Sequence, residues 1–448
     1  ADGHSPYQSP SAFAGNPLLI SLALLQDEGY LLLEELGNIP DFSLDFLNFA
    51  EVEIWKTGRL RQAFQNFENN ATELQINNFD HWCISHAFWL DDFATFASMK
   101  IISGGLIWSE WPEKWRLRES EEIQLFREKH ALEISFHKFV QWQFFKQWSS
   151  LRKYANQQGI KIIGDLPIFV AYDSTEVWAN PELFELDENQ QLSAVAGVPP
   201  DYFSETGQHW GNPLYRWNEM RKDGFSWWKN RLRFSLEQFD IVRIDHFRGF
   251  ENYWEIPSSA ATAAEGKWKE GPGFAFFEEM KKELGDLPII AEDLGLITTD
   301  VNVLREKCGF PGMKVLQFAF SDENNSYLPH NYKSSNTVVY TGTHDNNTTL
   351  GWYRELGDME RERLRAYLNK DVKEDSVCYD LIKLAWSSNA DIALAPLQDL
   401  LNLGGECRMN LPGTAGGKNW VWRCRTEPMN DLKLHWIFQL TEKYGRNQ

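Results

Sequence analysis

Residues 241–250 read IVRIDHFRGF. Ile241, Val242 and Ile244 open the stretch as a buried strand opens, with β-branched apolar side chains. Arg243, Asp245, His246 and Arg248 are threaded through it. Four ionisable groups in an apolar run are costly unless each is paired or meets a polar cleft. Side chains two apart on a strand share a face, so Arg243 and Asp245 project together.

Five further short apolar runs end in the same way: IKIIGDLPIF (160–169), LPIIAEDLG (287–295), MKVLQFAFSD (313–322), TVVYTGTHDNN (337–347) and IALAPLQDL (392–400). Near-continuous apolar runs of this length suit strands of a parallel sheet, buried on both faces. Helical patterns lie between them. GFAFFEEMKKELG (273–285) leads into one strand, and TTDVNVLREKCG (298–309) opens on an N-capping Thr and closes on Gly. Strand, polar end and helix in repetition predict an α/β fold, either a (β/α)8 TIM-type barrel or an open doubly wound sheet. No GxGxxG follows a strand, so a dinucleotide fold has no support. Six parallel strands do not close a barrel of this kind and leave exposed edges.

Three regions are expected. Residues 1–44 start the barrel domain, 45–158 form a helical insertion, and 159–448 carry the catalytic barrel. The stretch 170–217, rich in Pro, Gly, Asn and Asp, reads as a loop insertion.

The 448 residues are 43% hydrophobic and 24% charged, a globular composition. The formal charge of −20 disfavours nucleic acid as a partner. Twenty Trp fit either an aromatic core or a carbohydrate surface, because ring faces pack on the C–H faces of sugars. Five scattered cysteines without CxxC give neither a disulfide framework nor zinc spacing, and suit a reducing compartment. No apolar run approaches a membrane span, and ADGHSPYQSP does not read as a signal peptide.

Catalytic residues of such barrels sit at the C-terminal ends of strands. Those ends carry Asp165, Asp245 with His246, Glu292 with Asp293, Asp322, His344 with Asp345, and Asp399. A carboxylate-rich mouth suits a divalent cation or glycosyl transfer, which needs two carboxyls in different protonation states. The second reading accounts for more. Arg243 beside Asp245 is expected to hold it ionised, and partial burial after an apolar strand is expected to keep Glu292 protonated. His246 reads equally as a core histidine. Arg248 reads as structural, pairing a carboxylate. Asp293 reads as support.

The segments GDLPIFVAYDSTEVWA, AGVPPDYFSETGQHWGNPLYRW, VRIDHFRGFENYWEIP, AEDLG, GMKVLQFAF and YTGTHDNNTTLGWY resemble the 4-α-glucanotransferases (amylomaltase, or disproportionating enzyme) of glycoside hydrolase family 77. The resemblance runs from SPYQSPSAFAGNP (5–17) to CRMNLPGTAGGKNWVWR (407–423). It implies a (β/α)8 barrel related to the α-amylases. Asp245 would be the nucleophile, Glu292 the acid/base and Asp345 the third carboxylate. Arg243 would orient the nucleophile, while His344, Asp165 and Tyr7 would contact the transferred sugar. Tyr202 and Phe203 would serve the acceptor side, and Asn410 a second lid segment; Trp210 reads as either a loop anchor or a sugar platform.

The implied substrates are maltooligosaccharides, amylose, or starch- and glycogen-derived glucans, with no cofactor and no metal. The implied compartment is the cytoplasm, or the plastid for a plant or algal source. The alternatives are an α-amylase-type hydrolase and an inactive glycan-binding fragment. Family members place two βα strands before SPYQS, and this chain begins almost on it. The chain is therefore expected to lack those strands and to be part of a longer polypeptide.

Overall fold

A computed structural model describes residues 4–37, 39–200, 205–425 and 435–446. The six apolar runs all contribute parallel strands. β1 (Ile163–Pro167), β4 (Ile241–Asp245) and β7 (Ile289–Ala291) form one ladder in the order β1-β4-β7. β8 (Gly312–Val315), β9 (Thr337–Tyr340) and β10 (Ile392–Leu394) form another, with β9 central. The Ala291 amide donates to the Pro311 carbonyl at 2.9 Å, which joins the two ladders.

Alternation decides what each strand presents. On β4, Val242 and Ile244 are buried while Ile241, Arg243 and Asp245 are only partly so. Val242, Ile244, Ile289 and Ala291 pack outward into a core shared with Phe247, Phe250, Phe276 and Phe277. The opposite faces meet in a smaller cluster of Ile290, Met313 and Val338, bordered by Ile163, Ile241, Tyr340, Ile392 and Leu394. That cluster is an apolar floor. Asp165, Arg243 and Asp245 stand further along the same faces, towards the C-terminal strand ends. Gly164 is required on β1, because a Cβ there would lie 2.2 Å from the Phe239 ring.

Between Phe49 and Gln157 the described chain is helical or turning. The long helix Ala131–Gln157 buries Phe136, Phe139, Val140 and Trp142 against helices Phe49–Asn70 and Glu73–Ser85. Phe139 is fully enclosed, so Phe139→Ala is expected to cost about 3–5 kcal/mol.

The structure differs from expectation in three places. The stretch read as a loop insertion contains β2 (Ala194–Val198) and β3 (Gln208–Pro213). With β5 (Asn252–Pro257) and β6 (Lys267–Glu270) they build an antiparallel sheet in the order β3-β2-β5-β6. Its central pairing, β2 with β5, is long-range and leaves no local pattern. MKVLQFAFSD is a strand only as far as Val315 and then turns into a 3-10 helix. IALAPLQDL leaves the sheet at Leu394, where Pro396 precedes a short helix, Leu397–Leu400.

Candidate active site

Register assembles the first half of the site. Asp165 lies opposite Arg243 across the β1–β4 ladder, and Ile244 lies opposite Ala291 across β4–β7. The residues that follow, Asp245 and Glu292, therefore emerge side by side. Backbone bonds continue past the strands: the Glu292 amide donates to the Ile244 carbonyl at 3.0 Å, and Phe247 N donates to the Glu292 carbonyl at 3.1 Å. Arg243 Nη1 donates to both Asp165 oxygens at 2.7 and 2.8 Å, and Nη2 lies 3.0 Å from Asp245 Oδ1. Its Nε rests 3.4 Å from Met313 Sδ.

The second half is carried by loops. Tyr7 donates its hydroxyl to Asp165 Oδ2 at 2.6 Å and lies 2.9 Å from His344 Nε2. His344 Nε2 lies 3.4 Å from Asp345 Oδ1. Asn410 Nδ2 donates to Asp345 Oδ1 at 2.7 Å, and Arg408 Nη2 donates to the Asp345 carbonyl at 2.6 Å. A cavity of about 420 Å³ opens here, lined among others by Asp165, Arg243, Met313, Tyr340, His344 and Arg408.

The electrostatics set the two neighbouring carboxyls apart. Burial raises Glu292 to about 8, the nearby Asp245 charge adds to the shift, and Arg243 and the Leu294 amide oppose it. Burial also raises Asp245, to about 6; Arg243 pulls it down, while Asp165 and Asp345 push it up. This corrects one expectation: Arg243 does not bring Asp245 below the ordinary range, because desolvation outweighs the guanidinium. Asp245 still ionises before Glu292. Tyr7 is held strongly in its neutral form by burial and the adjacent Asp165.

The remaining residues sort by what they touch. His246 sits in the left-handed region at φ 53 and its amide donates to Glu292 Oε2 at 2.8 Å. Its ring meets Trp210 edge-on at 4.8 Å, and burial with the nearby Arg248 charge pushes its pKa down to about 3. It is therefore a neutral neighbour of the acid/base candidate rather than a plain core residue. Asp293 accepts from the Met313 amide at 2.7 Å and pairs with Arg305, the supporting position expected of it. Among the described residues Arg248 pairs with no carboxylate; it donates to Asn252 Oδ1 and the Leu296 carbonyl and lies over the Trp268 ring at 3.9 Å. Asp322 binds its own exposed turn at Asn324 and Asn325, away from the mouth. Asp399 is buried beneath it, accepting from Thr341 Oγ1 and from Thr349 N and Oγ1. Tyr202 and Phe203 lie outside the described residues. Arg408, Met313 and Trp420 border the site and were not singled out from the sequence. The motif around Trp420, GGKNWVWR, was visible without pointing to a role.

Among the described residues, no group of three or more His, Cys, Asp or Glu side chains is placed to hold a metal ion, and no helix is long and apolar enough to cross a membrane. An ionised carboxylate beside a carboxyl kept protonated, at the end of a parallel sheet, is the equipment of glycosyl-transfer and glycoside-hydrolysis enzymes.

The family model described as 4-alpha-glucanotransferase, glycoside hydrolase family 77, matches residues 1–429, and the chain belongs to that family. It is 48% identical to a 4-alpha-glucanotransferase of Thermus thermophilus over 98% of this chain and 89% of that protein. It is 46% identical to one from Synechocystis, over 99% and 88% respectively. A solved amylomaltase from Streptococcus agalactiae, in complex with acarbose, superimposes with a TM-score of 0.95 at 38% identity. That match covers 99% of this chain and 90% of the other.

Proposed function

We propose that this mouth transfers α-1,4-glucan segments by a retaining double displacement, with Asp245 as nucleophile, Glu292 as acid/base and Asp345 as the carboxylate that holds the sugar hydroxyls. In the first step an Asp245 oxygen bonds to the anomeric carbon. The glycosidic C–O bond breaks, and Glu292 gives its proton to the departing oxygen. In the second step Glu292 takes the proton from the 4-hydroxyl of an acceptor glucan. That oxygen bonds to the anomeric carbon and the Asp245–carbon bond breaks. Two inversions retain the α configuration.

The observation that carries this reading is the placement of Asp245 and Glu292 at adjoining ends of paired strands, with burial keeping Glu292 protonated near neutrality. Arg243 orients Asp245 and neutralises Asp165 beside it. Tyr7, Asp165 and His344 form the wall that meets the transferred ring, and Asn410 holds Asp345 in place. Trp210, together with Tyr202 and Phe203, serves the acceptor. The substrates are maltooligosaccharides, amylose, or starch- and glycogen-derived glucans, a reading supported by acarbose in the similar amylomaltase structure.

The architecture that accompanies this reading is a (β/α)8-type barrel. Among the described residues β1 is paired only with β4 and β10 only with β9, so β1 and β10 are the edges that an eight-stranded barrel still has to join. Residues 45–158 are its helical insertion, and 1–44 and 159–448 belong to the barrel domain. Five unpaired cysteines favour the cytoplasm, or the plastid of a plant or alga.

Incubation with maltotriose tests the activity. Longer chains and glucose without net gain of reducing ends are expected. A steady gain of reducing ends would make the protein a hydrolase, and no turnover would leave a glycan binder.

A further inference from the structure

Eight residues other than glycine take positive φ among the described residues, and two of them are large aromatics: Phe225 at φ 59, buried in the core at the start of a helix, and Trp420 at φ 64, beside the site. A bulky side chain in the left-handed region costs conformational energy and persists only where the surroundings over-determine it. The same segment meets that demand three more times, at Gly413, Gly416 and Gly417, each time with glycine. At position 420 the chain keeps a tryptophan in a conformation that glycine takes without penalty. The ring, rather than the backbone turn, explains that choice.

The ring is placed on the sugar-holding wall. Its centroid lies 5.5 Å from that of His344 and 6.0 Å from that of Tyr7, which are themselves 5.8 Å apart. The three rings close a triangle behind the contacts that tie Tyr7 to Asp165 and His344 to Asp345. The backbone of Trp420 does a second job. Its amide donates to the Met409 carbonyl at 2.8 Å, and the next residue, Asn410, holds Asp345. Residues 411–418 thus form a loop whose neck is closed at Met409 and Trp420. The Asn419 side chain ties the inside of the loop to the Leu411 amide and to Thr414.

We propose that Trp420 is a positioning residue that locks the lid neck onto the Tyr7–His344 wall, so that the glycosyl–enzyme intermediate passes to a glucan acceptor rather than to water. The inference rests on the roles given above to Asp245, Tyr7 and His344. The first chemical step is common to transfer and hydrolysis, so a residue needed only for folding would lower both together. A residue that keeps the wall and lid closed changes how the intermediate is shared between acceptor and water.

The test compares Trp420→Gly, which removes the ring while relieving the backbone, with Trp420→Phe, which keeps a ring. Each is assayed on maltotriose for released glucose and net reducing ends, and the melting temperature is followed in parallel. The expected result is a rise of about tenfold in the hydrolysis-to-transfer ratio for Trp420→Gly, recovered largely in Trp420→Phe. An unchanged ratio in Trp420→Gly, with or without a common fall in both rates, overturns the inference. So does an equal rise in both variants, because a ring would then contribute nothing. A wild-type protein that hydrolyses without transferring would instead overturn the assignment of the activity, before either variant is compared.

Discussion

The site has two halves built by different means. Asp165, Arg243, Asp245 and Glu292 are carried on or immediately after β1, β4 and β7, where a backbone ladder fixes each position relative to the next. His344, Asp345, Asn410 and Trp420 are carried on loops held by side-chain hydrogen bonds, ring contacts and isolated backbone bonds rather than by a ladder. In the proposed mechanism the strand half makes and breaks bonds. The loop half grips the sugar and shuts out water. Strands suit the first task because bond making tolerates little misplacement. Loops suit the second because substrate must enter and leave.

That contrast orders the expected effects. Asp245→Asn and Glu292→Gln, in the strand half, should each lower transfer on maltotriose by about 10³–10⁵-fold. Their melting temperatures should not fall, since each change removes a buried carboxyl whose charge burial disfavours. In the loop half, Asp345→Asn should lower kcat by about 10²-fold and Asn410→Ala by about tenfold, as lost positioning rather than lost chemistry. Steady-state kinetics check both. Equal losses in the two halves would break the comparison.

Asp399→Ala probes what supports the loop half. It strands three buried donors from Thr341 and Thr349. A loss of about 1–3 kcal/mol in chemical denaturation is expected, with activity falling while Asp245 and Glu292 are untouched.

The smallest effect expected is in pH. The proposed mechanism needs Asp245 ionised, so kcat/KM should rise as pH rises through about 6. It needs Glu292 protonated, so kcat/KM should fall as pH rises through about 8. The two limbs belong to the interacting pair. Asp345 is one of the charges that raise Asp245, so Asp345→Asn should move the acidic limb to lower pH. Coincident limbs in the two proteins would uncouple the halves electrostatically.

The sequence disclosed the strand half more fully than the loop half. IVRIDHFRGF and IIAED place apolar and ionisable side chains two apart, and period-2 alternation turns that spacing into a shared face. The ladder then brings Asp165, Arg243, Asp245 and Glu292 together without further information. Two strand ends misled, because MKVLQFAFSD and IALAPLQDL leave the sheet early, which sends Asp322 to the surface and Asp399 beneath the mouth. The antiparallel sheet of β2, β3, β5 and β6 went unread, since its pairings join residues far apart in sequence. In the loop half, the contacts of Asp345 depend on residues 408–410, more than sixty positions away, and no local spacing announces them. Asn410 was reached through resemblance. Nothing in GGKNWVWR marks Trp420, because a left-handed backbone position is ordinarily signalled by glycine.

The central claim is a covalent link at Asp245. An α-maltosyl fluoride donor supplies a leaving group that needs no proton, while Glu292→Gln leaves no base to activate an acceptor. Mass spectrometry of the digested adduct should find a maltosyl unit on the peptide that carries Asp245. The same adduct on a peptide carrying another carboxylate, or a product of inverted configuration with no adduct at all, would contradict the account.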